Sequence, residues 1–149
     1  MAAAVGLLVA GSVAYAAWTV NGGGTGTASA TSAVPLTLSA GTPSTSLYPG
    51  GSADVDTSAA NSNPFPVSVS SVALDTTQGT NGFSVDAGHS GCNLGSLSFT
   101  TDNDGWSIPA NGSIDIDAAG DIAMSTAAND SCQGATFTVY LTATAASAS

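Results

Sequence analysis

His89 is the only side chain in this sequence whose charge ordinarily changes near neutral pH, so acid–base chemistry would have to be built around it. It lies in Gly88-His89-Ser90-Gly91-Cys92, which has the first glycine and the serine of the nucleophile elbow G-x-S-x-G but ends in Cys92. An elbow also needs a separate histidine, and His89 is too close in sequence to serve naturally as the base of Ser90. We therefore predict a loop histidine beside a disulfide and no enzymatic activity. The rival hypothesis is a hydrolase that uses Ser90 and His89.

Other catalytic and cofactor sites lack the residues they need. The sequence has no Glu, which excludes the zinc motif H-E-x-x-H, and no Lys, which excludes the phosphate-binding loop G-x-x-x-x-G-K. The best metal candidate is the run Asp102-Asn103-Asp104-Gly105, because Asp102 and Asp104 could offer oxygen ligands to Ca²⁺ before a tight turn. The remaining ligand spacing is missing, and Asp and Asn favour turns on their own. We predict a plain hairpin turn there and no cofactor.

The charge of the chain excludes two classes of partner. All ten acidic residues are Asp, Lys and Arg are absent, and the formal net charge is -10. Nucleic acids and anionic lipid headgroups are bound through Lys and Arg, so we expect neither as a ligand. The pairs Asp54/Asp56 and Asp115/Asp117 could approach each other across sheets and bind a cation, but a solvated strand face explains them with fewer assumptions.

The two cysteines indicate an oxidising compartment. If Cys92 and Cys132 are joined, they close a loop of about 40 residues, which stabilises the fold by roughly 3 to 4 kcal/mol in the loop-entropy model. Neither cysteine has a second Cys or a His at metal-ligand spacing. We predict a structural disulfide in a secreted or surface protein, and the alternative is a pair of unlinked buried thiols.

The composition predicts strands, because Ser and Thr are abundant and the usual helix-surface residues Glu, Lys and Arg are absent. The run 135–142 alternates apolar and polar residues most clearly, and we expect it to be a central strand. A change of phase between Val69 and Val72 predicts a bulge. We predict an all-β fold: an immunoglobulin-like or jelly-roll antiparallel β-sandwich of seven to eight strands over residues 33–149. The candidate strands span residues 34–39, 53–56, 67–74, 82–86, 95–100, 113–117, 120–124 and 135–142.

The N-terminus divides into two further parts. Residues 1–20 are almost entirely apolar, and as a helix they would be about 30 Å long, enough to cross a bilayer. They also contain Ala14-Tyr15-Ala16, an A-x-A cleavage site. The segment is therefore a leader, a membrane anchor or the core helix of a filament, and we expect membrane contact only through it, before or during export. Residues 21–32 are rich in Gly, Ser and Thr, which predicts a flexible arm.

The order of features resembles a known family. An apolar leader running into Ala17-Trp18 is followed by the Gly-rich arm, by Leu47-Tyr48-Pro49-Gly50-Gly51 and by Asn61-Ser62-Asn63-Pro64 before a strand. This pattern, mainly within residues 1–75, resembles the TasA/camelysin group of secreted fibre subunits. The resemblance implies a sandwich subunit that polymerises when an N-terminal segment of one copy completes the sheet of the next.

We therefore expect a structural subunit of an extracellular or cell-surface homopolymer, a pilus-like or biofilm-matrix filament whose partner is a second copy of itself. Assembly would use strand complementation or, as in a pilin, packing of an N-terminal helix. The alternative is a monomeric, secreted or membrane-tethered immunoglobulin-like binding module; sparse aromatic residues make a carbohydrate-binding module a minor possibility. The predicted assembly residues are Ala17, Trp18, Val20, Val34, Leu36 and Leu38.

Overall fold

Strands make up nearly all the regular structure, as the composition predicts. The structure is a computed structural model, and it describes residues 2–5, 18–21 and 33–148. The strands are β1 (Ala2–Val5), β2 (Trp18–Asn21), β3 (Thr37–Leu38), β4 (Thr42–Pro43), β5 (Ser52–Asn61), β6 (Val67–Leu74), β7 (Phe83–Val85), β8 (Leu97–Phe99), β9 (Trp106–Ile108), β10 (Gly112–Met124), β11 (Phe137–Val139) and β12 (Leu141–Ser147). Single 3₁₀ turns lie at Ala87–His89, Leu94–Ser96 and Asp130–Cys132. In the part of the chain that is described, no helix is long and apolar enough to span a membrane.

Two antiparallel sheets form the body of the protein. In the first, β5 lies between β10 and the short strands β3 and β4, and β8 pairs with the other side of β10. In the second, β6 lies between β9 and β12, while β7 pairs with β11. Only Tyr140 separates β11 from β12; its N–H donates to the Gly82 carbonyl and its own carbonyl accepts from Asp75 N–H. We call β11, Tyr140 and β12 the final strand. The predicted all-β antiparallel fold is confirmed.

One hydrophobic core lies between the two sheets. Side chains alternate between core and solvent along β5 and the first half of β6, as the two-residue period of a strand requires. A single cluster of buried residues includes members of both sheets, so the sheets share one core. Its fully buried large side chains are Ile108, Ile116, Ile122, Leu141, Val55, Val67, Val69, Val72 and Val139.

The strands β6 and β10 each contain an irregularity in their register. Thr144 lies opposite Ser71 and Ala145 opposite Val69, so Ser70 is the extra residue of a bulge and the predicted bulge in β6 is confirmed. The two strands predicted at 113–117 and 120–124 are wrong, because they are one strand, β10. Its register shifts between Ala118 and Ile122, where Gly120 has a φ of 71°.

Two predicted boundaries also differ. The strand expected at 53–56 extends from Ser52 to Asn61, because Asn61 is buried and pairs with Gly112 instead of opening a turn. Of the residues expected to form a strand at 34–39, only Thr37–Leu38 is a strand, and Ser39 N–H also donates to the Ser58 carbonyl of β5.

Cys92 and Cys132 are joined by a disulfide with a Cα–Cα distance of 4.5 Å, as the sequence predicts. Asn129 links the two segments a second time, since its Nδ2 donates to the Gly91 carbonyl and its Oδ1 accepts from Asn93 N–H. The disulfide therefore lies within a small cross-linked cap formed by the loops around residues 91–93 and 129–132.

The N-terminal segment is described at two places. β1 and β2 pair antiparallel, with Ala2 opposite Asn21 and Val5 opposite Trp18. The predicted residue Ala17, the rest of the apolar segment at residues 1 and 6–17, and residues 22–32 of the arm lie outside the described residues.

Candidate functional site

Ser90 and His89, the pair that the rival hydrolase hypothesis needs, are not joined by a hydrogen bond. His89 Nδ1 lies 2.7 Å from Asp86 Oδ1, and Asp86 Oδ2 accepts a hydrogen bond from Thr136 N–H at 2.7 Å. The bond from Thr136, and then that from His89, lowers the pKa of Asp86. Over residues 33–148, no hydrogen bond joins Ser90 to His89. The Asp86–His89 pair instead ties a 3₁₀ turn to the start of the final strand, beside the disulfide.

Asp102 and Asp104, the candidate Ca²⁺ ligands, form a turn closed by their own hydrogen bond, in which Asp102 Oδ1 accepts from Asp104 N–H at 2.8 Å. Asp102 is buried and exchanges both backbone hydrogen bonds with Val72. The predicted hairpin is wrong, because the turn carries the chain from β8 in one sheet to β9 in the other. Burial, and then the charge of Asp102, raises the pKa of nearby Asp121 to about 6. No group of three or more His, Cys, Asp or Glu side chains in the described ranges could hold a metal ion.

The two alternating acid pairs are neighbours within one sheet and do not face each other across sheets. Asp56 on β5 lies directly opposite Asp117 on β10. Burial, followed by the charges of Asp54 and Asp56, raises the pKa of Asp117. Asp54 is engaged locally, since its Oδ1 accepts from Gly120 N–H at 2.6 Å. The outer face of the first sheet is therefore a strongly acidic surface.

One side of β12 has no partner strand among residues 33–148. Even-numbered residues bond towards β6 and β7, as Tyr140 does, whereas Val139 exchanges both backbone hydrogen bonds with Gly41 on the opposite side. Because successive residues of a strand point their backbone groups to opposite sides, Leu141, Ala143 and Ala145 direct theirs to the same side as Val139. Within residues 33–148, no strand or bridge pairs with that side of β12. We call the backbone of these three residues the open edge, meaning that no strand of residues 33–148 pairs with it.

The open edge has an apolar lining and adjoining space. Leu141, Ala143 and Ala145 are buried as whole residues, with exposures of 2%, 4% and 7%, so a strand added here would extend a sheet that is already packed. A recess of about 120 Å³ lies at one end, between Leu38 and Leu141. The open edge begins at Leu141, the next residue on this side of the final strand after Val139, which pairs with Gly41.

Asn63 fixes the point where the chain enters the domain. Its side-chain amide pairs with both backbone groups of Val34: Oδ1 accepts from Val34 N–H at 2.6 Å, and Nδ2 donates to the Val34 carbonyl at 2.7 Å. The same Nδ2 donates to Asn61 Oδ1 at 2.9 Å. Asn63 is almost fully buried, so this side chain acts as a short substitute for a paired strand. It holds Val34 against the loop that precedes β6.

The predicted assembly residues have different environments. Leu36 is buried in the core and Leu38 packs against it, so both serve the domain itself. Val34 is 46% exposed. Trp18 and Val20 belong to β2, which pairs with β1.

No protein-family model, curated protein or solved structure matches the chain. The strand order nevertheless resembles that of the immunoglobulin sandwich, in which one sheet is ordered A-B-E-D and the other C-F-G. Here β3 with β4, β5, β10 and β8 follow the first order, and β6 and the final strand take the positions of C and F. Strand G would lie beside F, and that position is the open edge.

Sequence reasoning missed two of these features. The run 135–142 was expected to be central, but from Leu141 onward the final strand lies at a sheet edge in the described part of the molecule. The alternation of apolar and polar residues indicates that one face of the strand is buried, but it does not indicate how many strands lie beside it. The clamp of Asn63 on Val34 joins residues 29 positions apart, and its one sequence signal is a pair of Asn residues, Asn61 and Asn63, at the end of a strand.

Proposed function

We propose that this protein is the repeating subunit of an extracellular homopolymeric filament, in which the N-terminal segment of one copy pairs with the open edge of another. The observation that carries the proposal is the open edge itself. Three buried residues there direct both N–H and C=O groups away from β6, and no strand of residues 33–148 pairs with them. Such an edge is a template for an added strand, which supplies hydrogen bonds worth about 0.5–1.5 kcal/mol each.

The distribution of charge supports the N-terminal segment as the added strand. Each copy carries a formal charge of -10, so two copies repel each other. No charged residue occurs in residues 1–53, and none occurs in residues 131–149, which include the final strand. Both the donor and the acceptor are therefore neutral. The segment can also adopt the required conformation, because Trp18–Asn21 is a strand in the structure.

The compartment follows from the disulfide. A bond between Cys92 and Cys132 requires an oxidising environment to form and persist, which is supplied outside the cytoplasm. The resemblance of residues 1–75 to the TasA/camelysin group implies the same location and the same use of the N-terminal segment. We therefore assign the filament to the cell surface or the extracellular matrix.

A proline at the open edge tests the proposal directly. Proline is tolerated at a sheet edge where its N–H would face solvent, but it removes the donor that an added strand needs. We expect Ala143→Pro to remain folded and monomeric under conditions in which the unmodified chain forms filaments. Ala143→Gly keeps the N–H and is the matched control, which should still assemble. Light scattering and electron microscopy measure assembly, and circular dichroism verifies the fold.

Deleting residues 1–32 separates this mechanism from the alternatives. If the deletion abolishes filaments but Ala143→Pro does not, the N-terminal segment acts by helix packing and not by strand complementation. If the unmodified chain stays monomeric at all concentrations, the filament proposal is wrong and a binding module becomes the better hypothesis.

A further inference from the structure

The two ends of the domain each carry one exposed apolar side chain. Over residues 33–148, Val34 and Tyr48 are the large hydrophobic residues that are exposed, by 46% and 65%. Tyr48 belongs to the loop that leads into β5, whereas Val34 is clamped by Asn63, just beyond the other end of the same strand. The ten residues of β5 span roughly 30 Å, so the two side chains lie about that far apart along the domain. We call these the Val34 end and the Tyr48 end.

The N-terminal segment leaves the domain at the Val34 end, where β12 also finishes. Asn63 holds Val34, and three residues later the Pro66 carbonyl accepts a hydrogen bond from Ala148 N–H, directly after β12. If the chain's own arm followed β12 directly to Val34, it would run parallel to β12, because it would arrive at Val34 from the other end of the strand. A donor from a different copy can run antiparallel, as do the described strand pairs of this sheet.

An antiparallel donor fixes how two copies meet. Its chain enters beside Ser147 and runs towards Leu141, so the rest of the donor continues beyond Leu141, towards the Tyr48 end of the acceptor. The first part of the donor domain on that path is its own Val34 end. We infer that the Val34 end of one copy packs on the Tyr48 end of the next, with Tyr48 as the aromatic anchor of the contact. This inference rests on the proposed function and adds the second surface that holds the filament together.

The length of the segment fits this arrangement. Trp18 lies 16 residues before Val34, a reach of roughly 50 Å when extended. A strand paired with all seven residues of β12 takes up about 20 Å. Beyond it, the donor must reach the Tyr48 end. Leu38 lies opposite Ala59, and from Ala59 to Ser52 at the start of β5 is about another 20 Å. The donor can therefore fill the open edge while its domain sits on the Tyr48 end.

The chemistry of the two ends suits such a contact. The ring of Tyr48 lies over Gly51, where a Cβ atom would approach the ring to 2.7 Å, so the ring rests on backbone while still largely exposed. A ring held in this way loses little conformational freedom on binding. The segments that carry Tyr48 and Val34 contain no charged residue, which matters for copies of equal charge. Because the two surfaces differ, the contact is heterologous and can repeat from one copy to the next, as a filament requires.

Cysteine cross-linking between separately labelled copies tests the contact. Val34→Cys and Tyr48→Cys variants of the full chain are prepared singly, assembled alone or as a mixture, and treated with a short bis-maleimide; the native cysteines are already paired. We expect cross-linked dimers in the mixture and none in either variant alone. Dimers from Tyr48→Cys alone would overturn the inference, because they require two identical ends to meet.

Assembly measurements separate this inference from the proposed function. We expect Tyr48→Ser to raise the concentration needed for filaments about tenfold, equivalent to about 1.4 kcal/mol, whereas Tyr48→Phe keeps the ring and stays within about twofold. Filaments that form in the mixture without a Val34–Tyr48 cross-link contradict the end-to-end contact alone. Absence of filaments from the unmodified chain contradicts both.

Discussion

Replacing Asn63 by alanine should destabilise the domain by about 3 kcal/mol. The substitution removes the two hydrogen bonds to the backbone of Val34 and the bond to Asn61 Oδ1. At about 1 kcal/mol for each bond, the three losses sum to about 3 kcal/mol. The Asn61 oxygen keeps a second partner, since it still accepts from the backbone N–H of residue 63 at 3.0 Å. We therefore expect no further penalty from an unpaired buried oxygen at Asn61.

The assay is reversible unfolding of the full chain with its disulfide intact, by urea and by heat, monitored by circular dichroism. A loss of about 3 kcal/mol corresponds to a fall in melting temperature of about 12 °C for a domain of roughly this size. Ser62→Ala is the matched control, because Ser62 lies in the same turn and is exposed; its effect should stay within about 0.5 kcal/mol. A loss below about 1 kcal/mol for Asn63→Ala, with the control unchanged, would show that the clamp contributes little and that Val34 is held in another way.

Three further predictions concern the disulfide and the pH dependence of two Asp residues. Replacing Cys92 and Cys132 together by alanine should cost roughly 3 to 4 kcal/mol, because the bond closes a 40-residue separation; urea unfolding of the variant and of the oxidised parent, both without reductant, measures the difference. Asp121 has a folded-state pKa of about 6, above its unfolded value, so it lowers stability as pH rises from about 4 to 6. Asp121→Asn should therefore stabilise the protein at pH 7 and have little effect below pH 4. Asp75 should behave in the opposite way, because hydrogen bonds from Thr77 and Gln78 lower its pKa; Asp75→Asn should lose stability at pH 7, and the loss should shrink in acid. Melting temperatures across pH 3–8 for both variants check the two signs, and equal shifts in the same direction would contradict them.

The local features of the fold could be predicted from the sequence. The alternation in β6 and its break between Val69 and Val72 gave the bulge, because a strand with one buried face reports each change of phase. The disulfide followed from the presence of two cysteines without a metal-ligand pattern. The prediction of two strands within 113–124 was wrong because Gly120 favours a turn. In the structure Gly120 lies where the register of β10 shifts, and the strand continues past it.

Long-range features of the candidate site could not be predicted in this way. Whether a strand lies at the centre or at the edge of a sheet depends on the other strands, and the residues of β12 alone carry no record of them. The amide of Asn63 could bond to many backbone groups, and only the folded chain brings Val34 to it. The pairing of Gly41 with Val139 likewise depends on how the first strands cross between the sheets.

The pairing of Gly41 with Val139 has a consequence for the spacing of any polymer built through β12. It already occupies the hydrogen-bonding position at Val139, so the first position that has no partner among residues 33–148 is Leu141. A Cβ atom at residue 41 would come within 2.5 Å of Val55, which keeps this stretch tightly seated in the domain. The stretch around Gly41 therefore fixes the register of any strand added to β12. Every joint would then begin at the same residue, and the axial repeat would be set by the domain and not by the length of the arm.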